Sequence, residues 1–313
     1  MGDYLIDGAI LGGIADALRE KTGDTELIIP EAMAEKVASL AGGLAFDDIA
    51  VRNIAGDVVL SVETIEAHSF YGCAKVTSLT APNVKTVGEY AFYGATGMTG
   101  ALHLPLCTSI GAYAFCNSRG IESLSIPNVT SVGTNAFQYC NKIAALDAPN
   151  LTTLGEYAFS GNATYKMTFK SINLPKCTAI PASTLTYCAN VTELILPECT
   201  SVGNSSLTNL TNLQYVDLPK CTSILNYGLR NNGKLETLIL RSETMCTLSN
   251  YALNGTKIFN GTGHVYVPRA LVASYQTATN WKTAHGKNAD TFRALEDYTV
   301  DGTITGALDE SKI

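Results

Sequence analysis

The stretch "PNVTSVGTNAF", residues 127–137, decides how this chain folds, because it is written seven times. Near-copies are "PNVKTVGEYAF" (82–92), "PLCTSIGAYAF" (105–115) and "PNLTTLGEYAF" (149–159). Weaker ones follow as "PKCTAIPASTL" (175–185), "PECTSVGNSSL" (197–207) and "PKCTSILNYGL" (219–229). Successive opening prolines from Pro82 to Pro219 stand 23, 22, 22, 26, 22 and 22 residues apart. A period in the low twenties is the mark of a solenoid, each unit being one coil. The phrase holds no obvious nucleophile, base or metal cluster. Whatever it does, it does by being repeated.

Working outward, each unit puts apolar residues in fixed columns. Leu79, Leu102, Leu124, Leu146, Ile172, Leu194, Val216 and Leu238 form one. Two residues on, Ala81, Leu104, Ile126, Ala148, Leu174, Leu196, Leu218 and Leu240 form another. That step predicts a short strand with alternate side chains inward, stopped by a proline that has no N–H to donate. Val84, Cys107, Val129 and Leu151 start a third column, and Val87, Ile110, Val132 and Leu154 a fourth. Phe70, Phe92, Phe115, Phe137 and Phe159 close the unit, giving way to Leu185, Leu207 and Leu229. Gly88, Gly111, Gly133 and Gly155 read as a tight turn into a helical turn. One coil buries about six apolar side chains at roughly 1.5–3 kcal/mol each, against about 1–2 kcal/mol for every residue ordered. A lone coil therefore loses, and stacking on neighbours tips the balance. The expected fold is a repeat solenoid of about 22 residues per coil, with a parallel β-sheet on one face and short helical turns on the other.

Bulk properties exclude several classes of function. The charged fraction is 16%, low against a typical quarter, and the 21 basic residues are outnumbered by 28 acidic ones. No Lys/Arg cluster appears, which argues against nucleic acid or an anionic membrane as partner. No window approaches the ~18 uninterrupted apolar residues of a membrane span. "MGDYLIDGAILGGIADALREKTG" (1–23) has no basic start, and Asp7 and Asp16 break its apolar run, so it does not read as a signal peptide. The expectation is a protein kept in the cytoplasm, one that leaves by a route needing no cleaved signal, or one whose signal has been removed. Cys107, Cys177, Cys199 and Cys221 share one repeat column, and Cys73, Cys140 and Cys188 another. Cysteines in register are expected as buried free thiols rather than disulfides or metal ligands.

The residues carrying this pattern, "L-x-x-L-x-L-P-x-x-T-S-I-G-x-x-A-F-x-x-C", resemble the bacterial leucine-rich repeats of the BspA-like type over about residues 58–256. The resemblance implies a curved or superhelical solenoid with a parallel sheet on one side. "VYVPRALVASYQTATNWKTAHG" (265–286) resembles the family's ending, a last strand followed by a capping helix opened by Pro268. The pattern departs from Pro175 onward, and in "ILRSETMCTLSNYAL" (239–253) Arg241 replaces the proline. Three regions follow: an N-terminal helical segment (1–43), the solenoid (44–256), and a C-terminal cap and tail (257–313). Within the first, "GGIADALREKTG" and "IIPEAMAEKVASLAGG" predict two short helices, read either as a cap on the first coil or as an attachment segment.

The two ends carry a second resemblance. "IADALREKTG" followed by "IPEAMAEKV", and the closing "YTVDGTITGALDESKI" (298–313), are similar to segments of tail and appendage proteins of phages of Gram-positive bacteria. This implies a virion component that contacts other tail proteins through residues 1–43 and recognises a bacterial cell-surface glycan or protein. The BspA-like resemblance implies instead a bacterial cell-surface adhesin for host protein.

Catalysis is not expected. The four histidines are scattered, and no His-x-x-x-His, Gly-x-Ser-x-Gly or phosphate-binding loop is present. No cofactor or metal is implied. Binding suits a solenoid, because each coil contributes one row to an extended surface. The outward strand positions gather His103, Asp147, Asn173, Glu193, Tyr215 and Asp217, a mixture that suits sugar hydroxyls or a peptide. A second set, Tyr90, Tyr113, Tyr157 and Tyr227, with Tyr251 beyond, forms a ridge for stacking sugars or a shield for the core edge. The oligomeric state is left open.

Overall fold

A computed structural model describes residues 54–313, so the helices expected within 1–43 lie outside the described residues. Each coil gives one strand to each of two parallel ribbons. The first ribbon starts at Ala55–Val59, Lys75–Thr80, Gly100–His103 and Ile121–Ser125. It continues through Ala145–Asp147, Ser171–Asn173, Glu193–Ile195, Tyr215–Asp217 and Thr237–Ile239. The second consists of nine two-residue strands among the described residues, from Thr64–Ile65 to Thr247–Leu248. Register follows the repeat: Leu102 pairs with Leu124, Leu146 with Ile172, and Leu194 with Val216. The predicted inward columns are buried except for the half-buried Phe70 of the first coil, and one continuous core runs the length of the stack.

The closing phenylalanines stack ring on ring, with centroids 4.7–5.3 Å apart from Phe70 to Phe159. Where the column changes to leucine, the 26-residue unit supplies Phe169, which packs edge-on against Phe159 at 6.1 Å. The lost aromatic volume is thus replaced from an insertion. All nine cysteines are buried free thiols, the seven in register as expected and Cys116 and Cys246 with them.

The turn side of the repeats holds no full helix among the described residues. It is instead a run of tight turns in which His68, Tyr90, Tyr113, Asn135, Tyr157, Ser183, Ser205, Tyr227 and Tyr251 take φ of 54–62°. The reason is hydrogen bonding. Tyr90 N donates to the Ala112 carbonyl (2.9 Å) and Phe92 N to that of Ala114 (2.6 Å), both on the next coil. A helix would spend those N–H groups within its own coil, whereas the left-handed residue turns them along the stack. The glycines also have another role than the one expected. A Cβ on Gly133 would lie 2.5 Å from Ala112 N and 2.7 Å from Gly111 C, on the preceding coil. Gly88 and Gly155 meet backbone in the same way. These positions are glycine because two coils touch there.

Beyond the last repeat the first ribbon continues with His264–Val267 and, after the cap, Phe292–Ala294, a strand that the sequence reading missed. Between them, Pro268 opens a 3-10 turn (Arg269–Leu271) leading into helices Val272–Thr277 and Trp281–His285. Tyr275 and Trp281 seal the open end by bonding the Cys246 backbone: its N–H donates to the Tyr275 hydroxyl (2.7 Å), and Trp281 Nε1 donates to its carbonyl (2.8 Å).

Candidate functional site

The strand face divides into an open and a covered part. Thr80, His103, Ser125, Asp147, Asn173, Glu193 and Ile195 are exposed. Two cross-strand bonds order this face. His103 Nδ1 lies 2.9 Å from Ser125 Oγ, and Asn173 Nδ2 donates to Asp147 Oδ1 at 2.8 Å. Glu193 stands opposite Tyr215 in the sheet register.

From Tyr215 onward the face is covered by the chain's own end. After the 3-10 turn Leu295–Tyr298 the chain doubles back, with Val300 N donating to the Ala307 carbonyl and Asp309 N to that of Tyr298, both at 2.9 Å. Leu295 is buried with Ile239 and Tyr266, and Tyr215, Tyr298, Ile304 and Leu308 pack around them. Tyr215 is half-buried, and burial pushes its phenol well above the usual range, with Asp217 acting in the same direction.

Asp217 was expected on the exposed face, and that expectation is corrected: it is 6% exposed. Arg241 Nη2 donates to Asp217 Oδ2 at 3.0 Å, and Arg241 Nη1 donates to the carbonyls of Ile304 (3.0 Å) and Gly306 (3.1 Å). Burial raises the Asp217 carboxyl above its ordinary value, opposed by the bonds from Arg241. The residue that displaces the repeat proline is therefore the clasp for the C-terminal segment. Its signal in the sequence was a carboxylate and a guanidinium in neighbouring units, 24 residues apart.

The tyrosine ridge is broken into patches. His68, Tyr90 and Tyr113 stack at 5.0 and 4.6 Å, and Tyr227 stacks with Tyr251 at 5.5 Å. Asn135 interrupts the column between Tyr113 and Tyr157, and Ser183 and Ser205 stand between Tyr157 and Tyr227. Within a patch each ring covers its neighbour's face, so solvent meets ring edges. A sugar needs a ring face, and only unstacked or terminal rings can offer one. Among the described residues no ring stacks on Tyr157, which is 41% exposed.

Among the described residues no group of three or more His, Cys, Asp and Glu side chains could hold a metal ion. Among them, too, no helix is long and apolar enough to cross a membrane. Such solenoids are generally non-catalytic binding scaffolds.

Comparison with known proteins agrees with the repeat geometry. The family model described as BspA type leucine rich repeat region (6 copies) matches residues 45–166, 108–236 and 161–262. No curated protein matches the chain. Solved structures that it resembles include a leucine rich cell surface protein from Faecalibacterium prausnitzii A2-165. That likeness has 17% identity, covers 69% of this chain and 73% of the other, and has a TM-score of 0.35. A leucine-rich repeat protein from Eubacterium ventriosum gives 15% identity, coverage of 66% and 84%, and a TM-score of 0.39. The T. pallidum leucine rich repeat protein gives 14%, coverage of 76% and 85%, and a TM-score of 0.30. Period, burial columns and the family match agree, and the chain belongs to the BspA-type leucine-rich repeat family.

Proposed function

We infer that the chain is a non-catalytic recognition protein whose open strand face, from Thr80 to Ile195, meets a bacterial cell-surface glycan or protein. The observation that carries this reading is the division of the face. Its end is closed by the chain's own C-terminal segment, while six consecutive rows stay open and carry His103, Asp147, Asn173 and Glu193. The proposed setting is the tail of a phage or prophage of Gram-positive bacteria, supported by the resemblance of the end segments 1–43 and 298–313. A second reading, favoured by the family match, is a bacterial surface adhesin binding host protein. The test is binding of the labelled full chain to panels of Gram-positive cells, with and without periodate, and to immobilised host matrix proteins. Periodate-sensitive binding to a narrow set of strains supports the first reading. Binding to matrix protein alone overturns it in favour of the second.

A further inference from the structure

A cleft of about 260 Å³ lies at the far end of the turn side, between the last coil and the cap helices. Its lining includes Asn250, Tyr251, Asn254, Phe259, Asn280 and Thr283, and no carboxylate, ammonium or guanidinium group.

Tyr251 is 57% exposed. Its column ends there, because the coil that would carry the next ring is replaced by the cap. Tyr227 backs one face of the ring, nearly parallel at 10°, and holds the Arg230 guanidinium 4.9 Å from its own centroid. Among the described residues no ring packs on the other face. Asn280 has φ 66° and, among the described non-glycine residues with positive φ, is the one outside two repeat columns, that of Tyr90 and Tyr251 and that of Asn117, Tyr139, Tyr187, Asn209 and Asn231. Its Nδ2 donates to the Leu248 carbonyl at 2.6 Å, which fixes the amide and leaves Oδ1 as an acceptor.

We propose that this cleft is a subsite for one unit of a neutral saccharide, with the C–H face of the sugar ring against Tyr251. Aromatic rings present a broad apolar face to such a surface. Amide and hydroxyl groups such as those of Asn250, Asn254, Asn280 and Thr283 both donate and accept, as sugar hydroxyls do. The lining offers no counter-ion to a phosphate or carboxylate, whose burial unpaired is costly. A concave, partly apolar recess with a few polar groups is the usual form of a small-ligand site. The proposal rests on the surface-recognition reading and adds a sugar contact on the turn side to the strand face.

The test is saturation-transfer NMR on the full chain with neutral methyl glycosides and N-acetylated methyl glycosides, and with glucose 6-phosphate and sialic acid as charged controls. Transfer is expected to at least one neutral glycoside. It should weaken about fivefold or more in Tyr251→Ala, and also in Thr283→Trp, which fills the cleft and keeps the ring. Thermal unfolding is recorded for both variants, and Tyr251 is exposed enough for its loss to leave the fold intact. No transfer from any neutral glycoside, equal transfer in both variants, or stronger transfer from the charged controls overturns the proposal. Cell binding by the same proteins separates the two ideas. Glycan-dependent binding to cells, beside sugar transfer that is unchanged in Tyr251→Ala and Thr283→Trp, removes the subsite and keeps the recognition reading. Sugar binding in the cleft by a chain that binds no cells or matrix proteins keeps the subsite and removes the reading.

Discussion

Replacing Gly133 by Ala adds a single methyl group within the stretch that decides the fold. That Cβ would lie 2.5 Å from Ala112 N, 2.7 Å from Gly111 C and 2.9 Å from Ala112 Cα. All three atoms are backbone of the preceding coil, and that backbone is held in place because Gly133 N donates to the Ile110 carbonyl at 2.8 Å. Relief requires separating two coils, and overpacking of this kind costs about 1–3 kcal/mol. Removing glycine flexibility from the unfolded chain returns about 0.4–1 kcal/mol, leaving a net loss of about 1–2 kcal/mol. At a urea slope of ~3 kcal/mol/M the midpoint falls by roughly 0.5 M. Gly233→Ala is the matched control. Its Cβ would meet nothing closer than the Gly255 carbonyl at 3.9 Å, so the midpoint should rise. If both variants move the midpoint upward, contact between coils is not what excludes a side chain at Gly133, and the reasoning fails.

Arg241→Ala strands the Asp217 carboxylate, whose side chain is 8% exposed. A loss of about 3–5 kcal/mol is expected, with faster chymotryptic cleavage near Tyr298 as the C-terminal segment comes free. Urea unfolding and timed proteolysis measure both. Alkali should weaken the solenoid, because burial pushes the Cys177 thiol up to about 11 and that of Cys199 up to about 12, from an ordinary value of 9.0. With folded values raised, stability is complete below pH 9 and is lost as pH rises from 9 towards 11, by about 1.4 kcal/mol per thiol at pH 10. Urea midpoints between pH 8 and 10 record the fall, and Cys177→Ala with Cys199→Ala should lessen it by about 2.8 kcal/mol at pH 10, the other buried thiols keeping the rest.

Positions that recur in every unit were legible in the sequence, because each column repeats its own evidence. Leu102, Ile110 and Phe115 went to the core on that ground, and they are there. Phe169 was not legible, since it lies in the insertion of the longest unit and belongs to no column. The glycines were misread because a single unit shows its own turn but not the backbone of the coil beneath it. Asp217 was placed outside by strand alternation, correctly for direction, yet the segment that covers it comes from more than 60 residues away in sequence. For the candidate face, the residues from His103 to Glu193 were legible. The wall that bounds them, built from Leu295, Ile304 and Leu308, repeats nothing and so left no periodic trace.

The bonds that join one coil to the next all run along the stack, and this gives the molecule a mechanical character. Tension between its two ends loads those bonds in series, as when a zip is opened, rather than side by side in shear. Each coil adds about 4.8 Å to the length of the stack, whereas a peeled 22-residue unit can pay out to roughly 75 Å. A molecule gripped at one end and pulled at the other would lengthen stepwise, shedding coils and dissipating load. The Arg241 clasp acts as a stop at the carboxy-terminal end, because it ties two neighbouring coils to the doubled-back segment. Yielding should therefore begin towards the other end, where no such strap crosses the described coils, and proceed inward one row at a time.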